Sequence, residues 1–133
     1  MGLKKPLKPT EGELQILIVL WKKGPCTVRD VNQVLADNKE VGYTTTLKLM
    51  QIMHEKGLLR RSRQGKSHIY SAVVSEDLTQ KQLVEKLLDT AFHGSALKMV
   101  MQALGSKKSS PQELKEIKEF IKQLETGKKG GTT

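Results

Sequence analysis

Residues Tyr43–Val74 read YTTTLKLMQIMHEKGLLRRSRQGKSHIYSAVV, and the change of period inside this stretch decides the fold. From Tyr43 to Lys56 the pattern is helical: Thr46, Leu49, Met50 and Met53 fall on one face about 100° wide, the expected buried side. Gly57 follows as the expected C′ residue, where a left-handed backbone costs glycine little. Leu58 and Leu59 lead back towards a core. Gln64-Gly65-Lys66 supplies a turn, and Ser67–Val73 alternates as a returning strand. The stretch is therefore a helix opened by threonines and followed at once by a basic β-hairpin.

Upstream, the signals are those of two further helices. Thr10 and Glu13 have the spacing of a capping box, and Leu14, Leu17, Ile18 and Trp21 recur as one apolar stripe. Gly24-Pro25 ends that helix. Thr27 caps the next, with Asp30 in the third position and Val28, Val31, Val34 and Leu35 as its buried side. Asp37-Asn38-Lys39-Glu40 reads as a polar connection. Three helices and a hairpin within about 65 residues are the anatomy of a winged helix-turn-helix.

After Val74 the texture changes to helices without strands. Ser75 caps a helix over roughly 76–92 that carries Leu78, Leu83, Leu87, Leu88, Ala91 and Phe92, and Gly94-Ser95 breaks it. A short helix, Ala96 to Leu104, carries Leu97, Val100, Met101 and Leu104. A polar linker, Ser106 to Ser110, precedes a last helix opened by Ser110, Pro111 and Glu113, with Leu114, Ile117, Phe120, Ile121 and Leu124 on one side. Helices of this length with narrow stripes are marginal alone in water. Pairing with a second copy is the expected resolution, through Leu83, Leu87, Phe92, Val100, Leu104, Leu114, Ile117, Ile121 and Leu124; folding back on the chain's own wing domain is the alternative. The predicted fold is mainly α with a small β wing. A winged helix-turn-helix domain is expected at 1–74, a helical dimerisation region at 75–126 and a flexible tail at 127–133.

Charge points to the partner. The chain's formal net charge is +9. Residues 1–74 carry 13 Lys and Arg against 6 Asp and Glu, a net of +7; residues 75–133 carry 10 against 8, a net of +2. The excess lies with the candidate reading head, as a polyanionic partner requires. On the expected helix, Thr44, Lys48 and Gln51 point away from the buried side and are candidates for base-edge contact. Lysine can donate to guanine and glutamine can bond bidentately to adenine. Thr45, near the helix start, suits a phosphate. In the hairpin, Arg60, Arg61, Arg63, Lys66, Ser67 and His68 are candidates for the sugar-phosphate backbone or minor groove. Leu47 and Ile52 flank the polar face, where a side chain either touches a thymine methyl or is covered by a neighbour. Tyr70 is expected in the core.

Catalytic chemistry finds no foothold. His54, His68 and His93 are widely separated, and there is no HExxH pair, no His/Cys cluster for a metal, no P-loop and no GxSxG elbow. Neither cofactor nor metal is expected. Cys26, the single cysteine, reads as a small packing residue. One thiol, with no apolar h-region behind MGLKKPLKP, fits a reduced cytoplasmic setting. A binding protein is expected: a DNA-binding repressor or, as the alternative, a winged-helix module that binds another protein.

Together these residues resemble the penicillinase-repressor (BlaI/MecI/CopY) family of bacterial winged-helix regulators. The matching pieces are PTEGELQILIVLWKKG, TVRDV, VGYTTTLKLMQIMHEKGLL, GKSHIYSAVVS, and FHGSALKMVMQAL followed by SPQELKEI. The resemblance covers about residues 7–125. It implies a homodimer that binds palindromic operator DNA and represses transcription, with Thr44, Thr45, Lys48 and Gln51 at recognition-helix positions. It also implies, from the antibiotic-responsive members, relief of repression by a membrane sensor metalloprotease system that triggers cutting in the dimerisation region. The cleaved members carry Asn-Phe near the end of the short tail helix; Gln102-Ala103 stands there in this chain and marks the candidate cleavage region. Many members also have Arg-Leu late in the recognition helix, where this chain has Ile52-Met53. The Cys-x-Cys ligands of the copper-responsive branch are absent.

Overall fold

A computed structural model describes residues 8–38, 40–106 and 108–127. The elements run α1 (Glu11–Lys23), α2 (Val28–Asn38), α3 (Tyr43–Glu55), β1 (Leu59–Gln64), β2 (Ser67–Ala72), α4 (Glu76–Ala91), α5 (Ala96–Ser106) and α6 (Pro111–Glu125). This is the expected class, mainly α with a two-stranded wing. The chain divides into two compact units, Met1–Lys86 and Leu87–Thr133, so that α4 begins in one and ends in the other.

Local chemistry starts and stops the helices where the residues say it should. The Thr10 hydroxyl accepts from the Glu13 amide and the Glu13 carboxylate accepts from the Thr10 amide, a complete capping box. Thr27 and Asp30 make the same reciprocal pair at the start of α2, each bond 3.1 Å long. Ser75 receives the Leu78 amide, and Ser110 the Glu113 amide behind Pro111. Gly24 and Gly57 close α1 and α3 with φ of 86° and 88°, values that would strain any side-chain-bearing residue.

Four local expectations are corrected. Helix α3 is not capped by a threonine: its N-cap is Gly42, which has no side chain to offer. Thr46 instead is wholly buried within the helix, its hydroxyl donating to the Gly42 carbonyl. In α1 the buried side is Glu13, Ile16, Leu17, Val19 and Leu20, while Ile18 is 48% exposed. That face is wider than a stripe because α2, α3 and β2 all pack on α1. Asp37 and Asn38 extend α2, and α5 runs on to Ser106. Lys39, Lys107, the N-terminal MGLKKPL and the tail beyond Gly127 lie outside the described residues.

The core of the first unit draws on every element from α1 to β2. Ile16, Leu17, Val31, Met50, Met53, Leu58 and Tyr70 are buried together, with Val34, Leu35, Leu47 and Leu49 packed around them. Strands β1 and β2 pair antiparallel in the register Arg61↔Tyr70 and Arg63↔His68. Gly65, with φ 64°, takes the first central position of a two-residue turn. Tyr70 also exchanges two backbone hydrogen bonds with Cys26, of 3.0 and 2.9 Å. That bridge pins the wing to the segment before α2 and leaves Cys26 a buried packing residue. The Trp21 indole N–H donates to the Val74 carbonyl at 2.9 Å, holding the exit of the wing against the end of α1.

In the second unit the helical run of α4 ends at His93 and Gly94, both with positive φ. The turn therefore begins one residue earlier than glycine placement alone indicates. Helices α5 and α6 bury no side chain. Leu97 is 69% exposed and Phe120 52%.

Candidate nucleic-acid interface

Helix α3 presents its polar face because its apolar face is consumed by the core. Met50 and Met53 have no exposed surface. Thr44, Lys48 and Gln51, within about 60° of each other around the helix, are exposed on the opposite side. Glu55 shares that face but lies eleven residues beyond Thr44, roughly 16 Å along the axis. Thr45 is exposed on one flank. On the other flank Leu47 is half-buried against the core, while Ile52 remains 40% exposed beside Thr45.

Two side-chain ties set the angle at which this face is offered. Asn32 of α2 donates one N–H to the Val41 carbonyl and the other to the Thr46 hydroxyl, both at 2.9 Å. At the far end, the Lys56 ammonium donates to both carboxylate oxygens of Glu13 at 2.8 Å. Burial pushes the Glu13 carboxyl up, but the Lys56 ammonium and the Thr10 amide outweigh it and hold the group below the usual glutamate value. Helix α3 is thus tied at its start to α2 and at its end to α1. Sequence spacing carried no sign of the Asn32 contact, and only half of Glu13's role, its cap, was legible.

The wing sorts its cations by strand alternation. Arg61 and Arg63 share a face with Tyr70 and His68, their cross-strand partners, whereas Arg60 pairs with Ser71 on the other face. The Arg61 guanidinium approaches the Tyr70 hydroxyl at 3.5 Å, and Arg63 donates to the Gly65 carbonyl at 3.2 Å. His68 and Tyr70 meet edge to face, ring centres 6.3 Å apart. Lys66 and Ser67 are exposed at the hairpin tip. Among the described residues, none of Lys48, Arg60, Arg61, Arg63 or Lys66 is in an ion pair with a carboxylate.

A groove of about 400 Å³ runs between these parts. One wall is the start of α2, Thr27 to Arg29. Tyr43, Leu47 and Gln51 form its floor, and Lys66, Ser67, His68 and Tyr70 the wing side. Of the candidate base readers it takes in Gln51; Thr44 and Lys48 lie outside it. Arg29 and Tyr43 join the surface here although neither stood out in the sequence; the signal was a cation in the first turn of a capped helix.

A family model described as penicillinase repressor matches residues 9–123. The chain belongs to the penicillinase repressor family. This is a family of transcriptional repressors, not of enzymes. The chain is 20% identical over 127 residues to the penicillinase repressor of Bacillus licheniformis, covering 96% of this chain and 99% of that protein. It is 27% identical over 123 residues to the transcriptional regulator BlaI of Mycobacterium tuberculosis, covering 87% and 86%. Among solved structures it is similar to a probable transcriptional regulator from Pseudomonas aeruginosa, at 21% identity and a TM-score of 0.45, covering 86% and 77%. A likeness of that degree carries no argument about function. The match of this penicillinase repressor family member spans both its winged unit and most of its helical unit. Among the described residues no helix is long and apolar enough to cross a membrane.

Proposed function

We propose that this repressor works as a cytoplasmic homodimer that binds a palindromic operator, α3 entering the major groove and the wing gripping the flanking backbone. The observation that carries the reading is the pairing of two surfaces: the exposed polar face of α3 and the basic wing beside it, with Lys48 and the wing cations in no ion pair with a carboxylate among the described residues. Thr44, Lys48 and Gln51 read base edges. Thr45, Arg60, Arg61, Arg63, Lys66, Ser67 and His68 hold phosphate and sugar. Residues 1–74 form the reading head and 75–126 join two copies, with half-sites about one DNA turn, or a multiple of it, apart.

The exposed apolar side chains of α5 and α6 support the dimer, since helices with no fully buried side chain need a partner surface. A mobility-shift assay on the DNA upstream of its own gene tests the reading. A retarded complex at low salt, abolished by excess cold operator but not by unrelated duplex, is expected. No shift with folded protein sinks it and favours a protein-binding module.

Relief of repression by a membrane sensor metalloprotease is part of the same proposal, with Gln102–Ala103 as the cleavage region. Both residues are exposed but helical, and the Ser106 hydroxyl donates to the Gln102 carbonyl at 2.7 Å. Cutting there requires α5 to unwind first. Ser106→Ala, which replaces a back-bonding serine by a better helix former, therefore slows cleavage at this bond in cells given the inducing antibiotic. An intact chain after induction removes the protease from the proposal.

A further inference from the structure

Between the wing and α4 the chain has no slack. Strand β2 ends at Ala72 and α4 begins at Glu76, and each residue between them is held by a different partner. The Val73 amide donates to the Leu58 carbonyl at 2.9 Å, extending the hairpin by one bond. The Val74 carbonyl accepts from the Trp21 indole N–H at 2.9 Å. Ser75 caps α4, its hydroxyl accepting from the Leu78 amide at 3.1 Å and its carbonyl from the Thr79 amide at 3.0 Å. The helix then lays one side down: Thr79 is 3% exposed, and Gln82 and Leu83, three and four residues on, are half-buried. Two of the three ties are local, one to the hairpin and one to α4 itself. Only the Trp21 tie reaches another helix of the core, 53 residues back in the chain, and the Trp21 ring is packed against that core.

We infer that the Trp21–Val74 bond fixes the direction in which α4 leaves the reading head, and so sets the half-site spacing that the repressor accepts. The inference rests on the dimeric DNA-binding function proposed above. Helix α4 is a lever: its 16 residues span about 24 Å at 1.5 Å per residue. A tilt of about 8° where it starts carries its far end roughly 3.4 Å, the rise of one base pair. Half-sites are separated by whole base pairs, so a joint looser than that does not tell the native spacing from its neighbours. Trp21 is thus a positioning residue, acting through Val74 rather than on the DNA. A phenylalanine fills most of the same space but cannot donate the bond.

The test uses the full-length protein and the operator mapped upstream of its own gene. Beside it stand duplexes with the half-sites moved by one base pair, and a single half-site. Wild type should prefer the native spacing. In Trp21→Phe that preference should shrink by roughly two- to tenfold, the range that one net hydrogen bond allows, while affinity for the single half-site stays unchanged. Trp21 is the chain's single tryptophan, so biosynthetic replacement by benzothienylalanine, with sulfur in place of the indole N–H, repeats the change with the ring shape kept. It should give the same loss, and it serves if Trp21→Phe does not fold. A spacing preference retained in either folded variant overturns the inference while leaving the repressor intact. An equal fall on the single half-site shows that Trp21 supports the head itself and also overturns it, as does a wild type indifferent to spacing. Wild-type protein that binds no duplex overturns both readings.

Discussion

Asn32 donates a hydrogen bond of 2.9 Å to the buried hydroxyl of Thr46, and with its other N–H binds the Val41 carbonyl. One amide therefore satisfies two acceptors at the start of α3, and the Thr46 hydroxyl donates its own hydrogen bond to the Gly42 carbonyl. Removing the amide leaves those groups short of a donor, and the Thr46 hydroxyl, wholly buried, cannot turn to water instead. Asn32→Leu should cost about 1–3 kcal/mol in urea unfolding. Thr46→Val, which keeps shape and loses the acceptor, should cost about 1 kcal/mol. The two losses should not add, because they share one bond. Additive losses would show that Asn32 acts only through Val41.

The Glu13–Lys56 pair makes stability depend on pH with a defined sign. The folded-state carboxyl titrates below its ordinary value, so the stabilisation is present above the unfolded value. It is lost as pH falls through the lower folded one. Glu13→Gln should destabilise at neutral pH by roughly 1.5–3 kcal/mol, and the gap from wild type should close in acid. Lys56→Met should cost more, because it strands a carboxylate that is 2% exposed. Unfolding curves taken from pH 7 down to the acid limb check both. A gap that widens on acidification would reverse the assignment.

Lys48 and Arg63 should fail in different ways. On the proposed function Lys48 reads a base, so Lys48→Ala should change the preferred base at one operator position, at about 1–3 kcal/mol. Arg63→Ala should weaken all sequences evenly and flatten the salt dependence. Selection from a randomised operator separates them, and an unaltered base profile for Lys48→Ala would remove it from readout.

The helical unit should reveal its partner when charged. Leu124, 55% exposed, and Leu87, 44% exposed, lie among the apolar residues assigned to the protomer contact. Leu124→Glu or Leu87→Glu should give monomers by sedimentation velocity, with operator affinity falling while the wing domain stays folded. A wild-type chain that sediments as a monomer at micromolar concentration would end the dimer assignment.

Some of this protein could be worked out from residues in order, because the forces concerned act within a few positions. Thr10, Thr27, Ser75 and Ser110 start helices by binding amides three residues on. Gly24, Gly57 and Gly65 occupy left-handed conformations where turns need them, and alternation in Ser67–Ala72 follows from the two-residue period of a strand. Other features waited for the tertiary fold. That α1 buries Ile16, Val19 and Leu20 while exposing Ile18 depends on three elements packing against it. That Glu13 meets Lys56, 43 residues away, and that Arg29 and Lys66 line one groove, depend on how α1, α2 and the wing close around α3. No local period encodes those distances. The stretch Tyr43–Val74 by itself determined that a helix and a basic hairpin exist; the core beneath them decided which side chains they show and what stands opposite.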